Sequence, residues 1–242
     1  VLAFERPTPG PAPALHVGGD FYKTLGGVFS PYLARWDGWD AAPLNGLNYS
    51  VERLLVVPEG VGAIAPGLYA TGWFTEAGGK TVNCLARWDG ESWHDVGGGL
   101  TSPYSVFGLA LCLFDDDDDG VPALFVGGKF DFAGGVPTRA LARWDGEGWS
   151  AIDGLGYENP DVHPKVYALA VFDDGRGPAL YVGGSSLDII SQGNFEPQTS
   201  AFRLFYVFAS IVGVFIVTLT VTYLMEVYTA LRKRNTLGLQ VH

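Results

Sequence analysis

The chain has 242 residues, enough for one sizeable domain or two small ones. Gly (34), Phe (15), Tyr (11) and Trp (7) are abundant and only 17% of residues are charged, a mixture suited to short strands, tight turns and aromatic filling between sheets. A formal net charge of −11 repels phosphate backbones and excludes nucleic acid as a partner. The two cysteines, Cys84 and Cys112, lack the spacing of a zinc or redox motif. They read as two free core thiols, with a single disulfide as the alternative. Val1 is not an initiator methionine and no signal peptide follows it, so the chain reads as a processed product or a fragment.

In chain order, the first signal is self-similarity. Leu-Ala-Arg-Trp-Asp-Gly occurs at Leu33–Gly38, Leu85–Gly90 and Leu141–Gly146, a period of 52 to 56 residues. Before each copy stands a second phrase: Leu15–Phe21, Leu68–Phe74 and Leu124–Phe130. A further copy, Leu180–Gly184, has no partner after it. Ala77-Gly78-Gly79 and Ala133-Gly134-Gly135 also correspond.

Each unit predicts about four short strands. In the third unit these are Ala123–Phe130, Leu141–Trp144, Trp149–Ile152 and Val166–Phe172, with a hairpin turn at Asp145–Gly148. Val1–Phe4 matches Leu169–Phe172, which places residue 1 inside a unit and favours the fragment reading. The predicted fold is mainly β: a partial β-propeller of about three four-stranded blades plus a broken fourth over residues 1–184, then a single transmembrane α-helix. The repeat resembles the Gly-Gly and Arg-Trp-Asp-Gly propeller repeats of bacterial and fungal cell-surface proteins and, more distantly, kelch repeats. That resemblance implies an extracytoplasmic binding or adhesion scaffold. Three units leave open sheet edges, which favours further blades upstream or assembly of several chains.

Among polar motifs, Arg35, Arg87 and Arg143 recur before Trp36, Trp88 and Trp144. A residue repeated in every unit more often solves a problem every unit shares, so these read as structural: stacked on Trp, or bonded to a turn Asp and locking one blade to the next. The other reading is an arginine ring facing an anionic ligand. Asp115, Asp117 and Asp119 before Gly120 fit the opening of a D-x-D-x-D-G calcium loop, and the stretch through Gly127 resembles FG-GAP propeller loops. Val126 stands where the calcium loop has its closing Glu, and Ala123 replaces the late FG-GAP Asp, so a variable acidic hairpin turn is the competing reading. His16, His94, His163 and His242 show no ligand spacing, and no nucleophile–base motif or phosphate loop stands out. No cofactor other than calcium is indicated, and nothing marks an enzyme.

From Leu204 to Met225 no residue is charged, and 13 of these 22 are Leu, Ile, Val or Phe. A helix of that length spans about 33 Å, against a hydrocarbon core of about 30 Å. The 13 contribute roughly −4 to −8 kcal/mol toward insertion. Residues 204–226 are therefore the predicted membrane span, 185–203 a linker, and 227–242 a basic tail. Arg232-Lys233-Arg234 place that tail in the cytoplasm and the repeats outside, and Ala209 with Gly213 offers a helix-pairing surface.

Residues 186–234 also resemble the filter and inner helix of a two-helix potassium-channel pore domain. Gln192, Gly193 and Asn194 stand at filter positions and Gly213 at an inner-helix hinge. After Gly184 the repeat breaks off, so two unrelated pieces read as joined within a blade. The leading expectation is a single-pass, membrane-anchored extracytoplasmic scaffold for a protein or glycan, with homo-oligomers formed through the helix or open sheet edges. An ion-channel-like subunit is the alternative.

Overall fold

The computed structural model describes residues 2–5, 14–23, 29–36, 41–44, 46–152, 155–156, 163–173, 175, 177–185 and 188–189. The first sheet comprises β1 (Leu2–Glu5), β2 (Ala14–Gly18), β3 (Leu33–Trp36) and β4 (Ala41–Pro43). The second-sheet segment carries β5 (Val51–Val57), β6 (Gly67–Gly72), β7 (Glu76–Ala77), β8 (Lys80–Thr81), β9 (Leu85–Trp88) and β10 (Trp93–Asp95), followed by β11 (Leu100–Thr101). The third-sheet segment holds β12 (Phe107–Phe114), β13 (Ala123–Lys129), β14 (Phe132–Ala133), β15 (Val136–Pro137), β16 (Leu141–Trp144) and β17 (Trp149–Ala151), then β18 (Leu155–Gly156). Last come β19 (Lys165–Asp173), β20 (Pro178–Ser185) and β21 (Asp188–Ile189).

The protein is mainly β and its sheets stay open. Three are four-stranded antiparallel meanders: β1-β2-β3-β4, β5-β6-β9-β10 and β12-β13-β16-β17. The fourth, β19-β20, has two strands among the described residues.

This pairing shifts the frame expected from the repeats. Val166–Phe172 was expected as the fourth strand of the third unit, but β19 pairs with β20, and the remaining strand of the third sheet is β12, which precedes it. Antiparallel neighbours pair through their shortest turns, and the links at 115–122 and 174–177 are shorter than the one joining β17 to β19. The register also sets Leu2, rather than Val1, at the position of Leu169, because Leu2 faces Val17 as Leu169 faces Val182.

The Leu-Ala-Arg-Trp strands bury their Leu and Ala and leave Arg and Trp partly exposed. The Asp that follows closes the hairpin. Asp89 Oδ1 accepts the amides of Glu91 and Ser92, and Asp145 Oδ1 those of Glu147 and Gly148, all at 2.8 Å. Gly90 and Gly146 take φ of 106° and 105°, which a side chain would resist. Across each hairpin the two tryptophans meet, Trp88 with Trp93 at 5.4 Å and Trp144 with Trp149 at 5.1 Å. The motif is thus a strand, its turn and an aromatic clasp.

A second repeated device links consecutive sheets. After leaving the second sheet, β11 adds to β14 between the second and third strands of the next sheet. Leu47 bridges Ala77 in the same way, and β18 pairs with β21. The Gly78 amide donates to Gly46 O and the Gly134 amide to Gly99 O, both at 2.9 Å. In the β18–β21 pair Leu155 faces Ile189 and Gly156 faces Asp188.

The sheets stack in chain order, β5 against β1, β12 against β5 and β6, and β19 against β12 and β13. Leu33 packs with Val51, Leu54, Leu68 and Ala70 between the first two sheets. Val57, Tyr69 and Leu85 pack with Leu111, Leu124 and Val126 between the second and third. Each such valine or leucine stabilises the fold by roughly 1.5–3 kcal/mol.

The second and third sheets therefore have a near face toward the sheet before them and a far face toward the sheet after them. Cys84 is buried, Cys112 partly so, and both are free thiols. The predicted filter residues Gln192, Gly193 and Asn194, the span 204–226 and the tail 227–242 lie outside the described residues. Among the described residues no helix is long and apolar enough to cross a membrane.

Candidate functional site

The meander puts two kinds of connection at opposite ends of each sheet. First-to-second and third-to-fourth strand turns share one end. Second-to-third connections and the links between sheets share the other.

The first end carries the acidic run. One carboxylate oxygen from each of Asp115, Asp117 and Asp119 lies within 4.8 Å of the others, so the predicted trio does converge. Such oxygens suit a hard cation. The same carboxylates also build the turn, with Asp115 Oδ2 accepting the Gly120 amide at 2.9 Å and Asp119 Oδ1 the Val121 amide at 2.7 Å. Partial desolvation in the turn, then the neighbouring Asp119, raises the Asp117 carboxyl above its ordinary value even though the side chain is half exposed.

Asp116 Oδ1 accepts from Arg143 Nε at 2.9 Å, and Asp117 lies 4.0 Å from the same guanidinium. Burial works against the Arg143 charge, but its bond to Asp116 holds the guanidinium above its ordinary pKa. Arg87 donates to Pro66 O at 2.7 Å. In both cases the arginine latches the first turn of its own sheet, so the expected lock from one blade to the next does not describe these bonds. Arg35 stands opposite the buried His16 across β2 and β3. In the fourth sheet Asp173 Oδ1 accepts the Gly175 and Gly177 amides of the corresponding turn.

The other end is aromatic. Tyr22, Phe29, Tyr49, Trp73, Tyr104 and Tyr167 are all exposed there. Tyr32 contacts Tyr22 at 5.3 Å and Tyr49 at 5.9 Å, and Trp73 stacks on Phe107 at 4.1 Å. Tyr104 lies 4.5 Å from the His163 ring.

Polar groups are interleaved. Asn48 Nδ2 donates to Thr75 Oγ1 at 3.0 Å, and Lys129 Nζ to Ser105 Oγ at 2.5 Å. Ser102 Oγ donates to Asp131 Oδ2 at 2.6 Å, while His163 Nδ1 lies 3.6 Å from Asp131 Oδ1. The carboxylate stands between hydroxyl and imidazole, so Ser102, Asp131 and His163 are not in the hydroxyl–imidazole–carboxylate order of a hydrolytic triad.

Sequence reasoning missed this end. The signal available was the link between sheets, which lengthens from Leu47–Val51 to Leu100–Gly108 to Leu155–Val166 while carrying Tyr49, Tyr104 and His163. Rigid aromatic rings among Ser, Asn, Asp and Lys offer stacking and adaptable hydrogen bonds, the composition of a binding face. Neither protein-family models nor curated proteins nor solved structures give a match to this chain.

Proposed function

We propose that the chain is a membrane-anchored, extracytoplasmic module of the β-propeller type that binds or scaffolds and performs no catalysis, engaging a protein or glycan through the aromatic end. The propeller reading is supported by successive four-stranded meanders whose first strands β1, β5, β12 and β19 lie beside one another in order. The anchor is supported by the uncharged stretch Leu204–Met225 and by the basic run that follows it.

One observation carries the binding reading: a row of exposed aromatics on connections that vary while the sheets beneath them repeat. Variable connections on a rigid scaffold are where binding residues concentrate. The test is a screen of immobilised proteins and glycans with the full chain in membranes, alongside Trp73→Ala and Tyr104→Ala. Binding by the wild type that falls at least tenfold in either variant supports the reading. Equal binding by all three refutes the aromatic end as the site. Protease protection of the repeats from outside intact cells would refute the orientation.

A further inference from the structure

The link between the first and second sheets carries Asn48-Tyr49-Ser50, and no other Asn of the chain stands two residues before a Ser or Thr. Asn-x-Ser is the acceptor pattern for N-linked sugars in exposed segments of secreted chains. The fold presents this copy at the surface. Asn48 is exposed and follows Leu47, which bridges Ala77, just before β5 begins. Its Oδ1 accepts the amides of Thr75 at 2.9 Å and Glu76 at 3.1 Å, and its Nδ2 donates to Thr75 Oγ1 at 3.0 Å. A sugar on Nδ2 leaves Oδ1 untouched, so both backbone amides keep their acceptor. The modification costs at most the bond to Thr75, whose exposed hydroxyl can turn to water.

The repeat itself requires neither end of the pattern. At the next junction the link is clasped to the second-to-third connection by Ser102 Oγ donating to Asp131 Oδ2 at 2.6 Å, so such a clasp does not need an Asn. Ser50 precedes Val51 as Phe107 precedes Gly108 and Lys165 precedes Val166, so that position does not need a hydroxyl. Asn48 and Ser50 are thus features of this one link.

We propose that Asn48 is an acceptor for a single N-linked oligosaccharide. This rests on the outward orientation of the repeats given above, since transfer takes place on that side of the membrane. The donor is an oligosaccharide carried on a polyprenyl diphosphate. Nδ2 bonds to the anomeric carbon and gives up one proton to a base of the transferase, while the bond from that carbon to the diphosphate oxygen breaks. The polyprenyl diphosphate leaves with the electron pair, and nothing is oxidised or reduced. Ser50 is only 4% exposed in the folded chain, so transfer precedes closure of the second sheet. The finished sugar stands beside the exposed Tyr49, at the aromatic end.

The test is synthesis of the full chain into microsomal membranes, read by gel mobility before and after treatment with peptide-N-glycosidase. Wild type should show one slower step that the amidase removes, leaving an aspartate in place of Asn48 by peptide mass. Asn48→Gln and Ser50→Ala should each lose the step, and Ser50→Thr should keep it. None of these readouts depends on the variant folding. Gly79→Asn, made together with Asn48→Gln, reports the side of the membrane, because it sets an Asn before Lys80 and Thr81. Gly79 lies in an open turn at φ 75°, where a Cβ meets nothing within 4 Å and Asn is tolerated. Modification of that reporter with none of the wild type overturns the proposal and leaves the outward orientation standing. No modification of either overturns both. A step that persists in Asn48→Gln places the sugar elsewhere and also overturns the proposal.

Discussion

The junction between the second and third sheets contains an exchanged pair. Where the first and third sheets offer Gly18 and Gly127 to Val51 and Val166, the second sheet offers Thr71 and the third answers with Gly108. The bulk has swapped sides, with Thr in place of Val, and a bulge follows Val51, Gly108 and Val166 alike. Gly108→Val restores the knob without removing its competitor. Its Cβ would overlap Thr71 Oγ1 and sit 3.0 Å from Thr71 Cβ.

Thr71 has little room to yield, because its hydroxyl is buried and donates to Cys84 O at 2.6 Å. Overpacking costs about 1–3 kcal/mol, and displacing that hydrogen bond adds about 1 kcal/mol. Gly108→Val should therefore destabilise by about 2–4 kcal/mol, a large share of a total of about 5–15 kcal/mol. Thr71→Gly alone leaves a cavity and a freer backbone, at about 2 kcal/mol. The double variant rebuilds the Gly127–Val166 arrangement and should cost less than the sum of the two single changes, with a coupling of about 2 kcal/mol. Urea denaturation of the four proteins measures the cycle. Additivity to within about 0.5 kcal/mol would refute the claim that the sheets meet through this knob.

Two further outcomes follow from burial. Burial, then the charge of Arg35, lowers the His16 pKa from 6.5 to about 4 in the folded chain. Between those values the unfolded chain binds the proton and the folded chain does not, so stability rises with pH there. About 3 kcal/mol is present above the unfolded value and is lost as pH falls through the folded one. His16→Gln should flatten that slope in urea melts taken across the window, and an unchanged slope would sink the assignment. Burial also pushes the Cys84 thiol up to about 12, and the side chain is fully enclosed between the second and third sheets. Iodoacetamide should modify it only at the rate at which the chain opens, whereas prompt labelling in native conditions would mean the junction is loosely packed.

The turn chemistry was legible in the sequence because it is local. Trp-Asp-Gly specifies an Asp that satisfies two amides and a Gly that accepts positive φ, and both operate within a few residues. The convergence of Asp115, Asp117 and Asp119 was legible for the same reason. The frame of the sheets was not. The repeats fix where strands lie but not which neighbour each one pairs with, and β19 joined β20 through the shorter turn. The pairing of β11 with β14 and the aromatic end were also hidden, because they bring together residues from different repeats. So was the exchange of Thr71 with Gly108, which looks like two unrelated lapses in a motif until the sheets are stacked. Sequence alone determined a repeated, turn-rich β chain with an uncharged C-terminal stretch. Only the tertiary structure decided which faces are covered, because packing joins residues that lie far apart along the chain.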